Sequence, residues 1–251
     1  NFPYQFNVAG GFCLPVVYEE LWTEKQRDAH SLHEVSYRAC FKPQLPRFFI
    51  ELLTQPGDVV YDPFLGRGTT VIEAALLGRQ VIGNDANPLS SILCKPRLCP
   101  PTYGEIEERV KGITFSKSTI DIDLSMFYEE ATLNEISSLR NYLISKPNRD
   151  HIDDWIAMVA TNRLTGHSPG FFSVYTLPPN QAVSRERQIK INEKLSQAPL
   201  YKDTKAIILK KSAQLLKALT SQEKELLLEA SKTAQLYSSS SYETPAISDN
   251  S

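Results

Sequence analysis

The most informative stretch of this sequence lies in the first third of the chain. Residues 57–70 read Gly57-Asp58-Val59-Val60-Tyr61-Asp62-Pro63-Phe64-Leu65-Gly66-Arg67-Gly68-Thr69-Thr70. The first five residues are a turn and a short apolar run, which together predict a β-strand. Gly66 and Gly68 predict a tight turn, because glycine adopts positive φ without steric cost. A helix is predicted over 69–77, since Gly78 stands where helices often end in the left-handed conformation.

A second strand is predicted over 80–83, and the acidic residue Asp85 follows it. The order strand, glycine turn, helix, strand and acid is the layout of a nucleotide-type cofactor site. The glycines let a ligand lie against the backbone, and the free N–H groups at the helix start point to the same place. Asp85 is positioned to accept hydrogen bonds from ribose hydroxyls. Asp62 would repel a pyrophosphate beside the turn, so the site favours a cationic or zwitterionic cofactor.

At these residues the sequence resembles the S-adenosylmethionine-dependent DNA methyltransferases that modify exocyclic amino groups of cytosine or adenine. Residues 62–70 are similar to the first motif of that family, Asp-Pro-Phe-x-Gly-x-Gly-Thr-Thr, and residues 83–88 to the second, Gly-x-Asp-x-Asn-Pro. A bare Gly-x-Gly would indicate only a tight connection, but the match over the whole of residues 62–70, followed by the second acid, favours the family. The resemblance implies that S-adenosylmethionine is bound by Asp62, Pro63, Phe64, Gly66, Gly68, Thr69, Thr70, Asp85, Asn87 and Pro88.

The segment before the first motif extends this resemblance. A helix is predicted after Pro46, with Phe48, Phe49, Leu52 and Leu53 on one side. In the family, a segment ahead of such a helix borders the methionine half of the cofactor. Arg38 and Cys40 depart from its pattern, so only Phe41, Lys42 and Pro43 are carried over. A helix that simply covers the sheet edge remains the alternative, and His30 and His33 are interpreted as surface or structural residues.

The remainder of the chain is mostly helical. Helices are predicted over 127–144, after the N-capping residues Asp150 and Asp203, and from the capping box at Thr220 to about Leu236. A short helix after Pro88 is expected to end at Pro96. The resemblance thus implies an α/β, Rossmann-like S-adenosylmethionine-dependent methyltransferase fold, incomplete in this chain, with a large, mostly helical insert.

Three regions follow from this division. Residues 1–100 are the N-terminal part of the cofactor-binding domain, 101–237 are the helical insert and candidate target-recognition region, and 238–251 are a linker leading back to the sheet. Only two strands of the sheet are recognisable, so the sheet is expected to resume beyond Ser251.

A non-helical stretch within the insert, 165–180, combines glycine and proline with aromatic, hydroxyl and histidine side chains. This composition is typical of loops that stack on nucleobases. The following residues, 184–217, contain nine Lys or Arg against three Asp or Glu, whereas 105–153 contain ten acids and six bases. A DNA contact surface is one interpretation and an ordinary solvated face the other. The candidate DNA-binding residues are His167, Phe172, Tyr175, Arg185, Arg187 and Lys190.

The resemblance also specifies what catalysis requires. The family holds the target amino group with an Asp, Asn or Ser followed by Pro-Pro and an aromatic residue, which stacks on a flipped-out base. The pairs Pro100-Pro101 and Pro178-Pro179 lack both the acceptor and the aromatic, so no catalytic residue is assigned. Residues 247–251 resemble the lead-in to that motif. We therefore expect the motif beyond Ser251, and this chain alone to bind S-adenosylmethionine weakly or not at all and not to methylate DNA.

Composition sets further expectations. The 251 residues are 41% hydrophobic with a net charge of −2, as in ordinary globular chains. No apolar run is long enough to cross a membrane and no signal peptide is visible, which predicts a cytoplasmic protein. Its four cysteines, Cys13, Cys40, Cys94 and Cys99, lack paired metal-ligand spacing and predict reduced thiols without a metal.

The leading functional hypothesis is a site-specific DNA methyltransferase of a restriction-modification system. Its implied partners are double-stranded DNA with the target base flipped out and a possible cognate restriction endonuclease. The target is cytosine N4 or adenine N6, and the resemblance of the chain's end to the serine variant of the catalytic motif favours cytosine. An RNA methyltransferase and a non-catalytic nucleic-acid-binding module remain as alternatives.

Overall fold

The computed structural model describes residues 4–9, 12–17, 29–38, 40–117, 120–177 and 183–242. An antiparallel hairpin of β1 (Tyr4–Ala9) and β2 (Phe12–Val17) opens the chain. A separate parallel sheet has the order β3-β4-β5, formed by Val59–Asp62, Gln80–Asn84 and Gln235–Tyr237. Mixed helices and a small parallel sheet agree with the α/β class predicted from the sequence.

The helices account for about half of the described residues. A 3-10 turn at Ser31–His33 is accompanied by α1 (Gln44–Leu53), α2 (Thr69–Leu76), α3 (Leu89–Leu98), α4 (Tyr103–Gly112), α5 (Glu130–Ile144), α6 (His151–Arg163), α7 (Arg185–Leu195), α8 (Thr204–Leu216) and α9 (Ser221–Thr233). Asp150 and Asp203 cap α6 and α8, and Thr220 forms the capping box of α9, as predicted. Helix α2 ends before Gly78, whose φ is +77°.

Two helix ends were predicted wrongly. Pro96 lies inside α3, which continues to Leu98. This last turn is held by tertiary contacts, since Leu98 is buried and the Arg97 guanidinium donates to the Leu32 carbonyl at 3.0 Å. Helix α9 ends at Thr233 instead of near Leu236. The residues after it form β5, which is three residues long, too short for an alternating pattern to reveal it.

The third strand changes the expected topology. Ile82 of β4 pairs with Gln235, and Asn84 pairs with Tyr237, both in parallel register. The sheet therefore resumes before Ser251, and the expectation that it resumes only beyond that residue is wrong. Helix α9 packs on α2, α3 and β4, so α9 and β5 belong to the sheet layer. The predicted boundary between insert and sheet at residue 237 is wrong for the same reason.

The insert shares one core with the sheet layer. Trp155 and Leu215 are buried in the same apolar cluster as Ile72 of α2. Helix α6 packs on α3, and the Ser31 hydroxyl donates to the Leu215 carbonyl at 2.7 Å. The insert is therefore not a separate lobe. No helix in the described ranges is both long and apolar enough to span a membrane.

Candidate functional site

The glycine turn connects the end of β3 to the start of α2. Gly66 and Gly68 have φ values of +52° and +81°, as the sequence predicted. A Cβ at Gly68 would lie 2.5 Å from the Cys94 sulfur, so α3 leaves no room there for a side chain. Gly68 precedes α2 without a side-chain cap. The first N–H groups of α2 are consequently not capped by a side chain of the described chain.

Two carboxylates shape this turn. Asp85, just after β4, accepts hydrogen bonds from Gly66 N at 2.7 Å and Asn87 N at 2.8 Å, one on each oxygen. Asp62, at the end of β3, accepts from Phe64 N at 3.0 Å. Each carboxylate oxygen has two lone pairs, and both side chains are partly exposed. Both carboxylates therefore retain acceptor capacity toward a ligand.

Asn84 is a site residue that sequence reasoning missed. Its buried amide donates from Nδ2 to the Ser239 carbonyl at 3.1 Å and accepts from Ser239 N at 3.2 Å. The Ser239 hydroxyl adds a third bond, at 3.0 Å, and Leu65 N donates to the Asn84 carbonyl at 2.8 Å. Asn84 thus joins the ends of β3 and β5. Its variable position in Gly-x-Asp-x-Asn-Pro gave no signal of this role.

A cavity of about 390 Å³ lies at the carboxyl ends of these strands. Its lining combines Phe64, which is 73% exposed, with the Asp85 carboxylate and the serines of 238–241. Ligands of open α/β sheets bind in this position. An exposed ring, a carboxylate and several hydroxyls fit an adenosine-type ligand. Residues 238–241, predicted to be a linker, line this cavity instead.

The predicted residues Phe41, Lys42 and Pro43 lie near Arg67 of the turn. They line a second cavity, of about 340 Å³, together with Arg67. The Arg67 guanidinium donates to the carbonyls of His33 and Val35 at 3.0 and 3.1 Å. Arg67 therefore fastens the segment before α1 to the glycine turn. Helix α1 has Pro46 in its first turn as predicted, but Phe49, Leu52 and Leu53 remain exposed.

Tyr37 is a second residue that the sequence did not single out. Its ring lies 3.5 Å from the position of a Cβ on Gly66, and its hydroxyl accepts from Asn87 Nδ2 at 3.3 Å. Tyr37 and Asn87 line a third cavity, of about 420 Å³, with Phe127 and Asn162 from the insert. Small-molecule sites usually have a volume of about 300–1,000 Å³.

The remaining motif residues differ in exposure. Thr69 is buried, Thr70 is partly buried, and Asn87 and Pro88 are exposed.

The histidine nearest the turn has a structural environment. His33 is buried, and its Nε2 lies 2.6 Å from Glu73 Oε1 of α2. Arg47 Nη1 donates to the other Glu73 oxygen at 3.3 Å. Burial lowers the pKa of His33 to about 4 against the opposing effect of Glu73. These contacts join the segment before α1 to α2 and support the structural interpretation.

The candidate DNA-binding residues are only partly brought together. Tyr175 is 43% exposed, and its carbonyl accepts from Gln188 Nε2 at 2.9 Å. Helix α7, which bears exposed Arg185, Arg187 and Lys190, is thereby fastened beside it. His167 is also exposed.

Phe172, by contrast, is 1% exposed, and its N–H donates to the carbonyl of Arg163, the last residue of α6, at 2.8 Å. The prediction that it stacks on a base is wrong. Pro178 and Pro179 lie outside the described residues. The described part of the chain contains no cluster of three metal-ligating side chains.

The region that contains this site is similar to known proteins. Residues 14–90 match a family model described as DNA methylase. Type II methyltransferase M.MvaI of Kocuria varians is 32% identical over 123 residues, 47% of this chain and 24% of that protein. The resemblance to the amino-group DNA methyltransferase family is confirmed. The matched region contains the turn, both carboxylates and the 41–43 segment.

Two further relatives match shorter regions of the chain. Type II methyltransferase M.MjaII of Methanocaldococcus jannaschii is 33% identical over 79 residues, 32% of this chain and 15% of that protein. The tRNA (guanine(10)-N2)-dimethyltransferase of the same organism is 38% identical over 61 residues, 24% of this chain and 17% of that protein. The chain therefore spans at most about a quarter of the two Type II relatives. No solved structure gave a significant match.

Proposed function

We propose that this chain holds the methyl donor of a DNA methyltransferase that transfers a methyl group from S-adenosylmethionine to an exocyclic amino group of cytosine or adenine. One observation carries the proposal: the glycine turn, Asp85 and residues 238–241 meet at the carboxyl ends of three parallel strands. A ligand placed there contacts the first and second motifs together.

S-adenosylmethionine would supply an electrophilic methyl group on its sulfonium. The chain's residues bind and orient it. Asp85 accepts from the ribose hydroxyls, Phe64 stacks beside the base, and the serines of 238–241 close the cavity. Asp62 places negative charge near the sulfonium and disfavours a pyrophosphate. The zwitterionic donor thus fits the charge of the site better than a dinucleotide does.

The sequence contains no acceptor residue followed by Pro-Pro and an aromatic. We therefore propose that this chain binds the donor and that the residues which hold the target amino group belong to a larger methyltransferase. Because residues 238–241, which follow β5, line the cavity, we expect measurable donor binding by the 251-residue chain. The same proposal has three finer parts: the chain acts on double-stranded DNA with a flipped-out base, it has a cognate restriction endonuclease as a partner, and its target base is cytosine.

Titration with S-adenosylhomocysteine, the donor's demethylated product, tests the site. We expect Asp85→Ala to weaken binding by about tenfold or more, the effect of losing hydrogen bonds to a charged acceptor. Asp123→Ala is the matched control, because the Asp123 carboxylate accepts from Ser125 N two residues later, as Asp85 does from Asn87 N. Equal affinities of the wild type and Asp85→Ala would contradict the assignment.

RNA is the second candidate substrate, and the tRNA dimethyltransferase relative favours it specifically. The exposed side chains Tyr175, Arg185, Arg187 and Lys190 suit either nucleic acid, since phosphate contacts carry no sequence information. Competition between double-stranded DNA and tRNA for the purified chain separates the two. Preference for tRNA at equal salt concentration would replace the DNA proposal.

A further inference from the structure

Two arginine side chains form hydrogen bonds at the glycine turn. Arg97 of α3 is fully buried and donates to the carbonyls of Leu93 at 2.8 Å and Leu32 at 3.0 Å. Its Nη2 also donates to the carbonyl of Arg67, in the middle of the turn. The Arg67 side chain donates in turn to the Thr69 hydroxyl at 3.1 Å and to carbonyls of the segment before α1.

Neither guanidinium forms an ion pair with a carboxylate within the described ranges, where their hydrogen bonds go to neutral oxygens. Burial lowers the pKa of Arg97 to about 10 and lowers that of Arg67. Arginine side chains nevertheless keep their charge in proteins. Two positive charges therefore lie behind the turn in a low-dielectric environment. Such charges are costly unless an opposite charge compensates them.

We propose that Arg67 and Arg97 determine specificity for the carboxylate of the donor's amino-acid end, Arg67 beside it and Arg97 as a positioning residue beneath the turn. This inference rests on the proposed function. Asp85 lines the first cavity and accepts from Gly66 N, and Arg67, the next residue of the turn, lines the second cavity. A donor with its ribose at Asp85 would extend its carboxylate toward Arg67. The N–H groups that begin α2 favour negative charge at the same place.

Arg79 provides a matched control. It is also buried, and its guanidinium donates to the carbonyls of Thr54 and Leu77 and to the Thr54 hydroxyl. It lies after α2, at the end remote from the glycine turn. Replacing Arg79 thus removes a carbonyl-bonded guanidinium of similar burial without changing the charge behind the turn.

The test compares two ligands on each variant by calorimetric titration of the full 251-residue chain. S-adenosylhomocysteine carries the carboxylate, whereas its decarboxylated analogue keeps the amine and lacks only that group. Two charges about 8 Å apart at an effective dielectric constant of about 20 alter an equilibrium by tenfold or more. We expect Arg97→Met and Arg67→Met each to weaken S-adenosylhomocysteine about tenfold and to leave the analogue unchanged or tighter. Arg97→Lys, which keeps the charge, should retain most of the preference.

The outcomes separate the inference from the proposed function. If the wild type binds neither ligand, the donor site itself is refuted. Arg79→Met is expected to weaken the binding of both ligands by the same factor. If the wild type binds both ligands, and Arg67→Met and Arg97→Met also weaken both ligands equally, the arginines are only structural and the inference is overturned. If Arg97→Met does not fold, as judged by circular dichroism, Arg67→Met decides the question by the same ratio.

Discussion

Replacement of Gly68 by alanine examines the geometry on which the site depends. Gly68 has a φ of +81°, and a Cβ there would meet Cys94 Sγ at 2.5 Å and Cys94 Cβ at 2.9 Å. An L-residue in the left-handed conformation costs about 1–2 kcal/mol. Overpacking a filled core adds about 1–3 kcal/mol. Gly68→Ala should therefore lower the free energy of unfolding by about 2–5 kcal/mol.

Gly57→Ala isolates the conformational contribution. Gly57 has a φ of +95°, and a Cβ added there would have no neighbour within 4 Å, so this variant should lose only about 1–2 kcal/mol. Urea unfolding followed by circular dichroism measures both losses. In the Gly68→Ala background, Cys94→Ala should recover part of the overpacking cost, because the sulfur is the nearest atom. Equal losses for the two glycine variants, or no recovery with Cys94→Ala, would show that close packing against α3 does not set the requirement for glycine.

Three further perturbations have defined outcomes. The pKa of His33 in the folded protein is lowered from 6.5 to about 4. As the pH falls, His33 is therefore protonated in the unfolded state before it is protonated in the folded state. Stability should fall by up to about 3 kcal/mol as the pH drops from 6.5 to 4, and His33→Gln should flatten this dependence in urea titrations at several pH values. Asn84→Ala should cost about 2–3 kcal/mol and weaken S-adenosylhomocysteine binding, since Ser239 loses its anchor; unchanged binding would exclude residues 238–241 from the site. Phe172→Ala should lower the free energy of unfolding by about 3–5 kcal/mol. Tyr175→Ala should change it by no more than about 1 kcal/mol but should weaken DNA binding in a fluorescence anisotropy titration. The reverse pattern would contradict the assigned roles.

The local signals near the turn were sufficient to predict its structure. Glycines at 66 and 68, the apolar run before them and Gly78 after the helix each act through backbone conformation, which depends on few neighbours. The caps Asp150, Asp203 and Thr220 are likewise satisfied within one helical turn, and all three predictions are confirmed.

The errors arose where long-range contacts decide the outcome. Strand β5 forms because it pairs in parallel with β4, which lies far earlier in the sequence. Nothing within Gln235–Tyr237 signals that partner. Composition suggested that Phe172 belongs to an exposed loop, but packing against the insert buries it. The hydrogen bonds of Asn84 to Ser239 and of Arg97 to the turn also cross large sequence separations. These contacts, which complete the candidate site, have no local sequence pattern.

The proposed function requires that the carboxyl ends of β3, β4 and β5 form one donor site. Amide hydrogen exchange of the chain, with and without saturating S-adenosylhomocysteine, locates the ligand on the backbone and so examines all three strand ends at once. We predict protection at 64–69, 84–87 and 237–242 together, and no change in α5. Protection confined to the cavity between Tyr37 and Phe127, or protection at the turn without 237–242, would contradict a single site at the strand ends.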